Sequence, residues 1–425
     1  MENSTYTIEP KWMRKFIPIW TAQIFSLLGS GLVQFALVWW ITQETGSAAT
    51  LAMATFVAIL PEVILGPFAG ALVDRLNRRY VMIFADAIIA LLTLSLAILF
   101  AFDLVQIWHI FVVLFFRSVG GIFHWPAMQA STSLMVPDKH LARVAGVNQA
   151  LHGGLNIIAP PLGALLMSLL PFYQVIGVDV ITAIIAILPL LFIRIPQPVR
   201  SDASEMLTPR LLFKDVAEGF RYMKKWKGLL YLAMLAALLN FLLLPSDTLM
   251  PLIVTQHFNK GVWELSLVQS CFGIGVVVGG LTLGVWGGFK SKIVTCLSGV
   301  VGLGLGVLIF GLAPANLFWM GVVGAAMLGF MNPIANGPLQ AIMQSKVAPE
   351  MQGRVMGTLG SICSAMMPLS MLVVAPVAEF LGLRVWYWAG GALTIVLAAW
   401  AFMVPSIMEL DRSVKDVSTA AISAD

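Results

Sequence analysis

Ionisable side chains stand inside long apolar runs of this chain. Arg117 lies within the segment Leu114–Gly121, and Glu62 lies near the middle of an earlier run. A charge in hydrocarbon is costly and persists where it faces a bundle interior, a partner or a water-filled cavity. Burial raises the pKa of a carboxyl and a nearby arginine lowers it, so movement between these environments loads and unloads a proton. We predict that Arg117 and Glu62 handle protons, with a permanent structural pair as the alternative for Glu62.

The small residues around Glu62 favour an inward orientation of its side chain. Ala58, Gly66 and Gly70 share its helical face, and a small-residue face is typical of contact with a neighbouring helix. The further candidates for proton handling are Asp179, Asp247 and His124. Asp247 lies between two prolines, where a broken helix can expose polar backbone. For His124 and His152, ordinary hydrogen bonding is the alternative.

Asp86 is the remaining acid within an apolar run. It lies only about 9 Å into its helix at 1.5 Å per residue, so we expect it to pair with the basic loop that precedes the helix.

Polar side chains at helical spacing predict a substrate cavity. Gln23, Ser30 and Gln34 share one face of the first apolar run, and Asn332, Asn336 and Gln340 recur every four residues in a later one. Hydrogen bonding across helix contacts is the alternative for both stripes. Phe35 and Phe123 lie near these polar positions and are candidates for contact with an apolar ligand, with helix packing or lipid contact as the alternative. The remaining candidates for the cavity are Asn156 and Asn240.

The elements that must position these residues are membrane-spanning helices. Of the 425 residues, 59% are hydrophobic and only 11% are charged, and the mean hydropathy is +0.91. Twelve runs exceed the ~20 residues that cross a bilayer. They cover approximately 16–41, 48–73, 80–102, 107–135, 144–170, 172–195, 228–255, 263–287, 292–313, 317–345, 355–380 and 385–407. The predicted fold is an all-α membrane protein.

The organisation predicted from these runs is two six-helix bundles, at 1–195 and 228–407. Residues 196–227 form a cytoplasmic linker with an amphipathic helix along the membrane surface, and residues 408–425 form a cytoplasmic tail. The bundles echo each other, because Arg143-Val-Ala-Gly and Arg354-Val-Met-Gly follow the fourth and tenth runs. Of the 25 lysines and arginines, 22 fall on one side, which predicts that both termini are cytoplasmic.

Two motifs carry a resemblance to a known family. The loop after the second run contains Gly70, Asp74, Arg75, Arg78 and Arg79, and it resembles the cytoplasmic signature of the major facilitator superfamily. In that family the motif locks the inner ends of helices. Asn77 occupies a position where the pattern usually has glycine, and asparagine tolerates the left-handed backbone better than most residues.

Further residues resemble one branch of this family. Arg117 with Gly121 resembles the helix 4 motif whose arginine is associated with proton coupling in exporters, and Pro160 to Gly163 partly match an antiporter signature. The run from Arg117 to Ala127 is most similar to the macrolide-efflux branch of drug:proton antiporters. The resemblance implies a twelve-helix exporter of the bacterial cytoplasmic membrane that works by alternating access.

We therefore expect a monomeric secondary active exporter of amphipathic or hydrophobic small molecules, driven by protons and embedded in the lipid bilayer. The alternatives are export of an endogenous siderophore or lysolipid on the same fold and, in another class, a passive channel or membrane receptor. No nucleotide motif, nucleophile, acid pair or metal set is discernible, and basic residues lie in short loops. The sequence thus predicts no enzyme activity, no cofactor, no metal and no nucleic-acid partner.

Overall fold

The computed structural model describes residues 12–197, 209–347 and 349–411, and these are almost entirely helical. Within these ranges, twelve helices are long and apolar enough to cross a membrane. In chain order, α1 to α6 are Trp12–Thr45, Ala48–Arg75, Arg78–Ala101, Ile107–Met135, Asp138–Leu169 and Phe172–Phe192. Helices α7 to α12 are Lys227–His257, Val262–Trp286, Lys292–Leu312, Phe318–Lys346, Pro349–Leu381 and Leu383–Met403. The prediction of an all-α protein with twelve spans is confirmed.

Several helices extend beyond the predicted apolar runs. Helix α5 begins at Asp138, six residues before the expected position, and α11 begins at Pro349 rather than 355. The added turns are polar and include Arg143 and Arg354, so they continue the helix past the apolar run. Both repeated Arg-Val-x-Gly segments are therefore the sixth to ninth residues of their helices, α5 and α11, at corresponding positions in the two halves.

Serine side chains in the loops cap helices α2 and α9. Ser47 accepts a hydrogen bond from the backbone nitrogen of Thr50 at 3.2 Å, and Ser291 accepts one from that of Val294 at 3.2 Å. Side-chain oxygens at this position satisfy backbone donors that the first turn leaves free. The short connections between the apolar runs therefore set where the helices start.

The described residues fall into two compact units. The first contains residues up to 197 together with Lys260–Ser270, and the second contains residues 209–259 and those from Cys271 onwards. In the first unit, α1 packs against α5 and α6, α2 packs against α4, and α3 packs against both α4 and α6. Buried apolar side chains such as Phe16, Met82 and Leu190 fill the contacts.

In the second unit, α9 is the most enclosed helix. It packs against α10 and α12 along a series of glycines. A Cβ added at Gly324 would lie 2.7 Å from the backbone nitrogen of Phe310, and one added at Gly299 would overlap that of Ala335. Small residues at these positions let the backbones approach closely, as is common between membrane helices.

Helix α7 changes its geometry near its end. An α-helical segment Lys227–Thr248 is followed by Met250–Leu252 and a π-helical turn, Ile253–His257. Pro245 and Pro251 lie on either side of Asp247, and proline removes a backbone donor within a helix. The predicted interruption beside Asp247 is confirmed.

The linker contains a helix, Pro209–Lys225, whose second half packs against α11. Met223 is fully buried, and a Cβ at Gly219 would overlap the hydroxyl of Thr358. Glu218 Oε2 and Arg354 Nη1 are 2.6 Å apart. The linker helix is therefore docked on the second unit by its C-terminal half. The remainder of the predicted linker between 198 and 208, and the tail from 412 onwards, lie outside the described residues.

Candidate functional site

The interior of the first unit contains an ion pair between α4 and α6. Arg117 Nη1 contacts Asp179 Oδ2, and the two side chains are 9% and 1% exposed. Ser30 of α1 donates a hydrogen bond to Asp179 Oδ1 at 2.9 Å, and Thr93 of α3 donates one to Oδ2 at 3.0 Å. Arg117 Nη1 also donates to the hydroxyl of Thr93 at 2.8 Å. Four helices thus converge on one buried carboxylate, which we call the Asp179 cluster.

Asp179 is the acid that contacts Arg117, and Glu62 lies on another helix with a different environment. The side chain of Glu62 is exposed, so the expectation that its small-residue face packs against a neighbouring helix is wrong. Helical spacing places Glu62, Gly66 and Gly70 on one face of α2, but it does not determine what covers that face. Asp179, which sequence analysis ranked among further candidates, is the acid that contacts Arg117.

A second buried polar cluster contains Asp86, His124 and Gln23. Asp86 Oδ1 lies 3.4 Å from His124 Nε2, and Gln23 Nε2 donates to Asp86 Oδ2 at 3.3 Å. Gln23 Oε1 and His124 Nε2 make no hydrogen bond within the described part of the chain. The expected pairing of Asp86 with the basic loop is wrong, because its carboxylate points to α1 and α4 inside the unit. We call this group the Asp86 cluster.

The two clusters lie two helical turns apart. On each of three helices, a member of the Asp86 cluster is separated by seven residues from a member of the Asp179 cluster, or about 10 Å along the axis. The pairs are Gln23 and Ser30 on α1, Asp86 and Thr93 on α3, and His124 and Arg117 on α4. Two polar layers therefore cross the same helices at different depths of an apolar bundle.

The loop between α2 and α3 is held by its arginines. Arg78 donates to the carbonyl of Ala130 at 2.9 Å, and Arg79 donates to the carbonyls of Leu190 and Leu191 near the end of α6. Cations are stabilised by the free carbonyls at a helix C-terminus. These two contacts tie the start of α3 to the ends of α4 and α6.

Asn77 fits this loop differently from the expectation. Its φ is −72°, and its side chain caps α3 by accepting from the backbone nitrogen of Arg79 at 3.1 Å. No left-handed residue is needed here, so asparagine contributes a cap rather than backbone freedom. Gly70 and Asp74 lie in the last turns of α2, and Arg75 ends that helix with an exposed side chain.

The polar and aromatic residues predicted to line a cavity in the first unit separate into two groups. Gln23 is buried and bonded to Asp86, and Phe35 is buried against α5, where a Cβ at Gly163 would lie 2.7 Å from its ring. The expectation that these two line a cavity is wrong, because helix contacts cover them. Phe123 is half-buried against the apolar core, whereas Gln34 and Asn156 are exposed.

The second unit contains a cavity of about 370 Å³ among α7, α9, α10 and α12, with residues of α8 and α11 at its wall. Asn240, Asp247, Asn332 and Asn336 lie on its wall among many leucines, whereas Gln340 is exposed outside it. The structure thus brings three of the predicted asparagines together with an acid that was assigned to proton handling.

Tyr387 of α12 also lines this cavity and was missed by sequence analysis. Its hydroxyl donates to the carbonyl of Ser246 at 2.5 Å, and the neighbouring Trp386 donates to that of Leu242 at 3.0 Å. Both rings hold α7 near its interruption. Their positions in the aromatic run Trp386-Tyr387-Trp388 resemble an interfacial anchor, so the sequence carries no signal that separates the cavity residue from its neighbours.

Comparison with known proteins places this architecture in a family. The Major Facilitator Superfamily model matches residues 19–365 and 248–423. Macrolide efflux protein A of Streptococcus pyogenes is 35% identical over 400 residues, which cover 94% of this chain and 98% of that protein. Multidrug efflux pump Tap of Mycolicibacterium fortuitum is 28% identical over 400 residues, covering 91% and 95%.

Solved structures of low identity share the fold. The crystal structure of the nucleoside transporter NupG matches with a TM-score of 0.71 at 14% identity, covering 92% of this chain and 99% of that one. A bacterial homologue of the human lysosomal transporter Spinster matches with a TM-score of 0.69 at 15% identity, covering 96% and 99%.

The chain belongs to the Major Facilitator Superfamily. It is a multi-pass membrane transporter of small molecules and not an enzyme, and the resemblance recognised in its sequence motifs is confirmed.

Proposed function

We propose that this protein exports amphipathic or hydrophobic small molecules, macrolides among them, in exchange for protons. It does so as a monomer by alternating access, in the cytoplasmic membrane of a bacterium with both termini in the cytoplasm. The similarity to Macrolide efflux protein A over nearly the whole chain supports the substrate class and direction. The observation that supports coupling of transport to protons is the buried Asp179 cluster.

Protonation of Asp179 would change the contacts within this cluster. Arg117 and two hydroxyl groups stabilise the charged form of Asp179, and a proton on the carboxyl removes its attraction to Arg117. Breaking a buried pair leaves an uncompensated charge, so the freed guanidinium must find another partner or water. Uptake of one proton thereby changes which contacts among α1, α3, α4 and α6 are favourable.

The geometry favours Asp179 over Glu62 as the coupling acid, because Asp179 contacts the membrane arginine and Glu62 is exposed. The Asp86 cluster is a second candidate, since His124 and Asp86 are within ion-pair distance and two of its polar atoms lack hydrogen bonds in the described structure. A pH difference of one unit supplies about 1.4 kcal/mol for each proton exchanged, which corresponds to about tenfold accumulation.

Transport by Asp179→Asn in proteoliposomes tests this assignment. Asparagine keeps the size of the side chain and an oxygen that accepts from Ser30, but its amide nitrogen cannot accept a hydrogen bond from Thr93 or Arg117, and the side chain cannot carry a proton. We expect loss of pH-driven uphill transport with retention of macrolide binding and downhill exchange. Asp103→Asn is the matched control, because Asp103 is exposed in a loop with φ of 55°, which asparagine adopts readily.

Uphill transport by Asp179→Asn at the rate of the control would remove Asp179 from the coupling mechanism and direct attention to His124 and Glu62. A panel of macrolides, siderophores and lysolipids in the same assay identifies the substrate class. Transport of the endogenous compounds without the macrolides would overturn the proposed substrate but not the proton coupling.

A further inference from the structure

The cavity of the second unit carries a single ionisable carboxylate on an apolar wall. Among the described residues that line it, Asp247 is the only Asp, Glu, Lys, Arg or His, and most of the others are leucine, valine, methionine or phenylalanine. A volume of about 370 Å³ is within the ~300–1,000 Å³ typical of small-molecule sites. The cavity therefore offers an apolar surface with one carboxyl group.

Asp247 differs from the other membrane acids in its partners. Asp179 binds an arginine and two hydroxyls, and Asp86 binds a glutamine beside a histidine. Asp247 is exposed to the cavity and makes no ion pair or hydrogen bond with another side chain of the described residues. The nearby Tyr387 does not donate a hydrogen bond to Asp247, because the tyrosine hydroxyl donates to the carbonyl of Ser246. An unpaired acid within a membrane bundle indicates a ligand or ion pathway.

The amides on the wall add hydrogen-bond acceptors. Asn240 Nδ2 donates to the carbonyl of Ala236 at 2.9 Å, and Asn336 Nδ2 donates to that of Asn332 at 3.0 Å. These contacts fix each amide nitrogen toward its own helix, and the Oδ1 atoms of Asn240 and Asn336 accept no hydrogen bond from the described residues. Asn240 also lies two turns before Asp247 on α7. Hydrogen-bond acceptors and a carboxyl group on an apolar wall match a cationic donor with an apolar body.

We propose that this cavity binds the protonated amine of an amphipathic substrate, with Asp247 as its counter-ion and Asn240 and Asn336 as neutral acceptors. The leucine-rich wall contacts the apolar part of the same molecule. This assignment rests on the proposed export function and narrows its substrate class to amphipathic amines. It makes Asp247 a residue that determines specificity rather than a proton carrier.

A matched pair of ligands tests the proposal on the purified full-length protein. One probe is a macrolide with a protonated tertiary amine, and the other is the same macrolide with that amine replaced by a neutral N-formyl group. We expect Asp247→Asn to weaken binding of the amine at least 10-fold and to leave binding of the neutral probe within 2-fold. Asp247→Glu should keep the preference for the amine, and Asp103→Asn should bind both probes as the unaltered protein does.

The neutral probe also reports folding, because a collapsed cavity loses both ligands. Equal loss of both probes in Asp247→Asn, or unchanged binding of the amine, would overturn the assignment of Asp247. Efflux of the two probes from cells separates this result from failure of the proposed function. If the unaltered protein exports both probes and Asp247→Asn lowers the export of neither probe, or of both equally, the assignment of Asp247 is wrong and export stands. If the unaltered protein exports neither, the proposed function and the assignment that rests on it both fall.

Discussion

Replacing both members of the Arg117–Asp179 pair should destabilise the protein less than replacing either one. In Arg117→Leu, the carboxylate of Asp179 stays 1% exposed with only the hydroxyls of Ser30 and Thr93 as donors. Removing one partner of a buried pair costs about 3–5 kcal/mol, because an uncompensated charge remains. Asp179→Leu correspondingly leaves the guanidinium of Arg117 without its carboxylate partner.

The double variant removes both charges and fills the space with apolar atoms. Such replacements are often neutral or stabilising, and the two orphaned hydroxyls each lose a membrane hydrogen bond worth about 0.6 kcal/mol. We therefore expect a net loss of about 1 kcal/mol in the double variant and, from single losses of about 3 kcal/mol or more each, a coupling energy of at least about 5 kcal/mol. Reversible unfolding of the four proteins in detergent-lipid micelles, followed by circular dichroism, supplies the free energies of unfolding.

The matched control is the pair of Glu218 and Arg354, whose side chains are 26% and 43% exposed. Exposed ion pairs contribute about 0–1 kcal/mol, so the corresponding cycle with glutamine at both positions should give a coupling energy below about 1 kcal/mol. Additive losses in the Arg117 and Asp179 cycle would refute the reasoning, since neighbours that act as one unit show large interaction energies.

Three further predictions concern packing, capping and topology. Gly299→Val should lower the free energy of unfolding of the second unit by about 1–3 kcal/mol in the same unfolding assay, because its Cβ would overlap the backbone of α10. Gly284→Val is the control, since a Cβ there meets open space, and it should lower the free energy of unfolding by less than about 1 kcal/mol. Asn77→Ala should cost about 1 kcal/mol through loss of the α3 cap and Asn77→Ser much less, and equal losses would contradict the capping role. Reporter fusions should read cytoplasmic after Arg79 and external at Asn259, and the reverse pattern would overturn the orientation.

The spans were predictable from the sequence because their length is set by the bilayer. Apolar runs of more than ~20 residues identify the helices without knowledge of their neighbours. Their ends were less predictable, since the polar first turns of α5 and α11 form helix outside the apolar run. The interruption near Asp247 was also predictable, because proline acts through the local backbone.

The pairing of charges was not predictable in the same way. Spacing within one helix defines a face, but the partner on another helix depends on the rotation and depth of both. Glu62 was consequently the first choice of acid for proton handling beside Arg117, although Asp179 on α6 is the acid that Arg117 contacts. The sequence did carry one signal for the two polar clusters. The seven-residue interval between Asp86 and Thr93 on α3 equals the interval between Arg117 and His124 on α4, so the two pairs of polar residues can meet at two depths.

The central claim is exchange of substrate for protons, and the most direct measurement is proton movement driven by the substrate alone. Proteoliposomes with equal pH on both sides receive an outward gradient of macrolide, and a dye reports the internal pH while the membrane potential is clamped. The account predicts that macrolide leaving the vesicles drives protons inward, so the interior acidifies, and that Asp179→Asn abolishes this change. Macrolide movement with no change in internal pH, or with alkalinisation of the interior, would contradict it.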